Sequence, residues 1–175
     1  MGTKGTLIIV AATSLLALAG CQTGDAAHGR RAFAQLNPTQ GNNVRGSVDF
    51  YETKGGVRIV AHITGLTPGK HGFHIHDKGD CSAPDAASAG GHFNPTGAKH
   101  GGPDDTERHA GDFGNVTADA SGTAHLERVD KHISFDGPNS IIGRGVIVHA
   151  SPDDLTGQPA GNAGARLACG VIQAK

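Results

Sequence analysis

The sequence contains no tryptophan, one tyrosine and one methionine, and its aromatic residues amount to 4%. Charge is scarce as well: Asp, Glu, Lys and Arg make up 18% of the 175 residues, 15 basic against 16 acidic, for a formal net charge of −1 with histidines neutral. Without a positive excess, nucleic-acid binding driven by bulk charge is excluded, because it rests on neutralising phosphates with Lys and Arg. A membrane-spanning run is missing too. The apolar stretch Leu7–Ala19 is thirteen residues long and includes Thr13 and Ser14, too short to cross a hydrocarbon core about 30 Å thick as a helix. No internal repeat or low-complexity segment is present. What is abundant is glycine, with 28 residues, and histidine, with 11. Each interior glycine costs a helix about 0.8–1 kcal/mol relative to alanine, so long helices and coiled coils are excluded. Eleven histidines exceed what pH tuning needs and point to metal. The length suits one domain with an appendage.

Residues 1–20 are expected to be a signal peptide. Lys4 precedes the apolar stretch, and small residues follow it, as in an export leader. Leu18-Ala19-Gly20-Cys21 resembles the lipobox of bacterial lipoproteins, in which the cysteine becomes the new N-terminus and carries lipid. The implied location is the cell envelope, with the chain exported, membrane-anchored through Cys21 and facing the periplasm or the cell surface. With Cys21 taken by lipid, Cys81 and Cys169 remain as an even pair in an exported protein. Residues 21–37 read as a lipidated N-terminus and polar tether, and 38–175 as the folded domain.

The domain reads as short strands joined by turns. In Gly56–Ile63, Val57, Ile59, Ala61 and Ile63 alternate with more polar neighbours, the period of a half-buried strand. Asn43–Glu52 pairs with it across the turn Lys54-Gly55-Gly56. Further strands are expected at His71–Asp77, Asn115–Ala118, Gly122–Val129, Ile141–His149 and Leu167–Gln173. Short strands at roughly even spacing predict an all-β antiparallel sandwich or barrel. From Asp77 to Gly111 periodicity stops. A loop of that length needs something to order it, and a disulfide from Cys81 and bound metal are the two candidates.

The histidines fall into two sets. His74 and His76 sit two apart, so a strand turns both imidazoles to one face, and His149 ends a neighbouring strand. A site rich in imidazole suits copper or zinc rather than magnesium or calcium. Within the long loop, His92, His100, His109 and Asp112 supply three imidazoles and a carboxylate, a closed tetrahedral zinc site.

Gly72-Phe73-His74-Ile75-His76, Ser88-Ala89-Gly90-Gly91-His92-Phe93-Asn94-Pro95, Lys99-His100-Gly101-Gly102-Pro103 and Glu107-Arg108-His109-Ala110-Gly111-Asp112 resemble motifs of the copper/zinc superoxide dismutase family. So do Gly114-Asn115-Val116-Thr117-Ala118-Asp119, Ile141-Ile142-Gly143-Arg144 with His149, and Gly161-Asn162-Ala163-Gly164-Ala165-Arg166-Leu167-Ala168-Cys169-Gly170. The resemblance runs in register from about residue 40 to the C-terminus. It implies an antiparallel Greek-key β-sandwich or barrel with a long metal-binding loop, carrying one copper and one zinc per subunit. The copper ligands would be His74, His76, His92 and His149, and the zinc ligands His92, His100, His109 and Asp112, with His92 bridging the two ions. Cys81 and Cys169 would form the family's disulfide. Arg166 would attract and orient superoxide, and Asp153 would link His74 to His100 from behind. The implied reaction converts two superoxide ions and two protons to dioxygen and hydrogen peroxide by Cu(II)/Cu(I) cycling, with the zinc structural and His92 supplying one proton.

His28, His62, His71, His125 and His132 lie outside these motifs and read as surface or strand histidines. The segment between Asp154 and Gly161 has six residues and no charge, where many eukaryotic members have a longer charged loop, and Ala160 replaces a usual channel threonine. Steering of the substrate would then rest on Arg166. Lys78 stands where the eukaryotic dimer contact is apolar, which leaves monomer and homodimer both open. Two other classes compete: a copper-binding protein of the same fold without turnover, and a zinc hydrolase. The first needs neither zinc bridge nor Arg166; the second lacks an open zinc position and a nucleophile–His–acid arrangement.

Overall fold

The computed structural model describes residues 1–2 and 29–175. Residues 3–20 of the expected signal peptide, and Cys21, lie outside the described residues. Among the described residues nine strands are present: β1 (Arg31–Pro38), β2 (Arg45–Thr53), β3 (Gly56–Thr64), β4 (Gly69–His76), β5 (Asp112–Ala118), β6 (Ala124–Asp130), β7 (Gly145–His149), β8 (Arg166–Val171) and the two-residue β9 (Gln173–Ala174). They hydrogen-bond in the order β2-β3-β6-β5-β4-β7-β8-β1, and β1 returns to β2, so eight antiparallel strands close into a barrel. The Greek-key order follows from two crossovers, β3 to β4 and β6 to β7. The only helix among the described residues is a single 3-10 turn at Ala87–Ala89, as the glycine content led one to expect.

Alternation drives the strands. Val57, Ile59, Ala61 and Ile63 of β3 are buried, and so are Val48 and Phe50 opposite them on β2. Phe73, Phe113, Leu36, Val148 and Ile172 extend the same apolar interior. Turn chemistry ends the strands: Asp119 Oδ1 accepts the backbone N–H groups of Ser121 and Thr123, closing the loop before β6.

The expected tether over 21–37 needs correction at its end, because Arg31–Pro38 is a strand. Ala32, Ala34 and Leu36 face the core, while Phe33 points outward beneath Lys175, whose Nζ is 4.3 Å from the ring centroid. Two of the three inward residues are alanines and the large apolar residue faces out, so the alternation is masked in the sequence. Pairing with both β2 and β8 makes β1 the strand that closes the barrel. Strand β7 is shorter than expected, since residues 141–144 form a turn before Gly145.

The long loop between β4 and β5 is ordered in four ways. Cys81 and Cys169 are bonded, with Cα atoms 5.8 Å apart, which ties the loop to β8. Backbone bonds from Phe93 N to Ile75 O (2.8 Å), Ile75 N to Gly111 O (3.0 Å) and Asp77 N to Gly91 O (2.9 Å) lay it along β4. Phe93 is buried in the main core, with the Arg144 guanidinium carbon 3.5 Å from its ring centroid. A buried pair, Arg108 Nη2 to Asp130 Oδ2 at 2.5 Å, fastens the end of the loop to β6.

Candidate metal centre

All seven metal-ligand candidates come together under the long loop. His74, His76, His92 and His149 each offer a ligand atom within 4.8 Å of the others, and so do His92, His100, His109 and Asp112. His92 belongs to both sets.

Two β-bulges aim these side chains. Between Gly72/Asn115 and His74/Asp112 the pairing of β4 with β5 slips by one residue, bringing Asp112 opposite His74; Gly114 takes up the slip with φ +68°. A second slip between Val148/Ala168 and His149/Arg166 sets His149 beside Arg166. Bulges commonly re-aim side chains next to functional sites. On β4 itself, Phe73 and Ile75 enter the core while His74 and His76 take the opposite face, which the loop covers.

Hydrogen bonds fix which nitrogen of each ring is free. His74 Nε2 donates to Asp153 Oδ2 at 2.7 Å, His76 Nδ1 to Gly90 O at 2.9 Å and His149 Nδ1 to Gly164 O at 3.2 Å. These acceptors have no proton to give, so the rings hold their protons there and turn lone pairs inward from His74 Nδ1, His76 Nε2 and His149 Nε2. The last two are 3.4 Å apart. In the second set Asp112 Oδ1 lies 2.8 Å from His92 Nδ1, 3.1 Å from His100 Nδ1 and 3.2 Å from His109 Nδ1. Its other oxygen accepts the N–H groups of Gly101 (3.1 Å) and His109 (2.9 Å), which holds the carboxylate in place. Among the buried nitrogens that make no hydrogen bond, His74 Nδ1 belongs to the first set, and His100 Nδ1, near Asp112 Oδ1 but not bonded to it, belongs to the second. Buried orphans of this kind are costly unless something binds them, and the donor chemistry fits two metal ions.

Burial lowers the affinity of the first set for protons. It pushes His149 down to about 3 and His92 to about 4, the latter against the pull of Asp112, and holds His74 and His76 below the ordinary histidine value as well. Neutral imidazoles with free lone pairs are the state a metal needs. His100 differs: burial lowers it, but the carboxylates of Asp112 and Asp153 outweigh that and raise it to about 9. Both carboxylates are held well below their usual range, because bonds from the surrounding histidines overcome the burial penalty.

Asp153 accepts from His100 Nε2 through Oδ1 at 2.9 Å and from His74 Nε2 through Oδ2 at 2.7 Å. Arg166 donates to Ala86 O at 2.6 Å and Gly90 O at 2.7 Å. Gly90 therefore orients both the arginine and His76 with one carbonyl. Arg166, His76, His92, His149, Pro159 and Ala160 line a cleft of about 240 Å³. Burial draws Arg166 below its usual value, yet a guanidinium remains charged at physiological pH.

Several supporting residues carried no sequence signal of their role. Asn115 and Asp153 exchange bonds, side-chain amide to Asp153 O at 2.9 Å and Asp153 N to Asn115 Oδ1 at 2.7 Å. Gln158, in the short uncharged loop, does the same with the backbone of His100 at 3.0 and 2.9 Å. Gly161 has φ +67°, and a side chain there would land on Asp153 Oδ1 and within 2.5 Å of His100 Nε2. Of the histidines outside the motifs, His71 is buried, with Nδ1 2.9 Å from His149 O and Nε2 2.8 Å from Thr67 O, and serves the scaffold.

Residues 44–172 match the family model of copper/zinc superoxide dismutase. The chain belongs to this family. It is 47% identical over 150 residues to an extracellular superoxide dismutase [Cu-Zn] of Brugia pahangi, covering 81% of this chain and 74% of that one. It is 52% identical over 149 residues to superoxide dismutase [Cu-Zn] 2 of Mesembryanthemum crystallinum, covering 81% and 94%. Among solved structures, the clock protein EA4 superposes with a TM-score of 0.76 at 43% identity, over 83% of this chain and 95% of that one. The protein is thus a copper/zinc superoxide dismutase, an oxidoreductase acting on superoxide with one copper and one zinc per subunit.

Proposed function

We propose that His74, His76, His92 and His149 hold the copper, and that His92, His100, His109 and Asp112 hold the zinc. The observation that carries this assignment is the pattern of ring protons: His74, His76 and His149 each turn one nitrogen inward because the other donates to a fixed acceptor, while His92 reaches Asp112 of the second set through Nδ1. Copper supplies a one-electron couple, and zinc a charge that does not change. The protein does the rest. Arg166, at the cleft, binds superoxide and orients it with its fork of N–H donors. One superoxide gives up an electron and leaves as dioxygen. A second accepts an electron and two protons and leaves as hydrogen peroxide. His92 Nε2 holds one of those protons and passes it on, while Nδ1 stays with the zinc set. The loop of Pro159 and Ala160 narrows the cleft without adding charge, so Arg166 supplies the local attraction.

The decisive experiment follows superoxide decay by pulse radiolysis on the copper- and zinc-loaded protein and on Arg166→Ala, across ionic strengths. Fast, copper-dependent decay that slows in the variant at unchanged metal content supports the assignment. Equal rates in both proteins would overturn the role of Arg166, and no decay at full copper occupancy would overturn the dismutation mechanism and leave a copper-binding protein of the same fold.

The mature protein is exported and anchored by lipid on Cys21 after removal of residues 1–20. The lipobox-like Leu18-Ala19-Gly20-Cys21 and the Cys81–Cys169 bond support export to an oxidising compartment, and the Brugia pahangi relative is named extracellular. Membrane fractionation with Cys21→Ser tests this: the variant leaves the membrane fraction if the lipid is the anchor and stays there if it is not.

A further inference from the structure

The register of β3 against β6 sets His62 directly opposite His125. Neither strand carries a residue of the metal centre. Both histidines are exposed, on the outer side of strands whose inner residues, Ala61, Ile63 and Ala124, are buried. Their rings are 4.5 Å apart between centroids and tilted by 39°, and the two Nδ1 atoms face each other at 3.2 Å. A cation bound by two imidazoles at about 2.0–2.1 Å needs nitrogens about 2.9–3.4 Å apart for bond angles between square and tetrahedral. The observed separation falls inside that window. Glu127, two residues along β6 and also exposed, brings a negative charge to the same face, with one oxygen engaged by Arg58 at 2.7 Å.

From this geometry we propose that His62 and His125 form a second, exchangeable surface site for a divalent first-row transition metal. Two imidazole nitrogens select Cu2+, Ni2+ or Zn2+ over Mg2+ or Ca2+, with Cu2+ bound most tightly. Water completes the coordination, and because no third protein ligand closes the site the ion exchanges readily. Held on two strands of the barrel, the two rings are pre-positioned, so losing one forfeits the chelate advantage, on the order of a hundredfold in affinity.

The test uses the full chain loaded with copper and zinc, titrated with Ni2+ by calorimetry and read in parallel for superoxide decay. The native chain is expected to bind one Ni2+ beyond its resident metals. His62→Asn and His125→Asn are each expected to weaken that binding on the order of a hundredfold while copper content, zinc content and activity stay unchanged, which also reports that the variants fold. No additional Ni2+ on the native chain would overturn the proposal. Undiminished Ni2+ binding in the double variant would also overturn it, placing the ion on another histidine such as His28 or His132.

Discussion

Asp153→Asn separates the two metals by a single atom. The carboxylate is buried and divides its labour: Oδ1 accepts from His100 Nε2 at 2.9 Å and from Leu155 N at 2.8 Å, whereas Oδ2 accepts only from His74 Nε2 at 2.7 Å. An amide keeps one oxygen. It will place that oxygen where two donors wait, at His100 and Leu155, and turn its NH2 toward His74. His74 Nε2–H then meets a second donor. The ring can escape only by moving its proton to Nδ1, the atom that faces the copper set, which removes the lone pair a metal would use. A hydrogen bond to a charged group contributes about 1.5–3 kcal/mol, which at about 1.4 kcal/mol per decade is one to two decades in copper affinity. Outer-shell partners of metal-bound histidines generally act at about this size, 10–100-fold. Zinc affinity falls less, because the bond to His100 survives. Competition with a chelator of known strength, with copper and zinc followed separately, measures both. Unchanged copper affinity, or a larger loss of zinc than of copper, would refute the reasoning.

Gly161→Ala forces a side chain into a left-handed backbone position, costing about 1–2 kcal/mol, and against Asp153 Oδ1 and His100 Nε2; thermal unfolding of the holoprotein and zinc retention should both fall, and an unchanged zinc affinity would show that the loop yields. Replacing both Cys81 and Cys169 by alanine frees a span of 88 residues, for which loop entropy gives at most about 4–5 kcal/mol. Urea unfolding reads the loss, and activity should fall with it, since Ala86 O and Gly90 O hold Arg166 from the released loop. Asp130→Ala strands the buried Arg108 guanidinium and should cost about 3–5 kcal/mol, measured as a shift in the urea midpoint; a loss under 1 kcal/mol, roughly that of a surface pair, would show that water reaches the arginine.

Much of the centre is legible in the chain itself. Alternation along a strand is a property of the backbone, so His74 and His76 had to share a face once that segment was extended. The imidazole-and-carboxylate composition of His92, His100, His109 and Asp112 limited which ions could bind, whatever the fold. The turn at Asp119 and the strand at Gly56–Thr64 follow from local residues alone. Other features depend on which strands meet, and in what register, between residues far apart in sequence. The bulges that bring Asp112 opposite His74 and His149 beside Arg166 are set by pairing across the sheet. Strand β1 is not legible in the sequence because alanines fill two of its inward positions, and only closure of the barrel gives them a core to face. The carbonyl of Gly90, the exchange between Asn115 and Asp153 and the facing rings of His62 and His125 involve groups that every glycine, asparagine or histidine carries. Their roles come from position, and position at that range is decided by how eight strands share one interior.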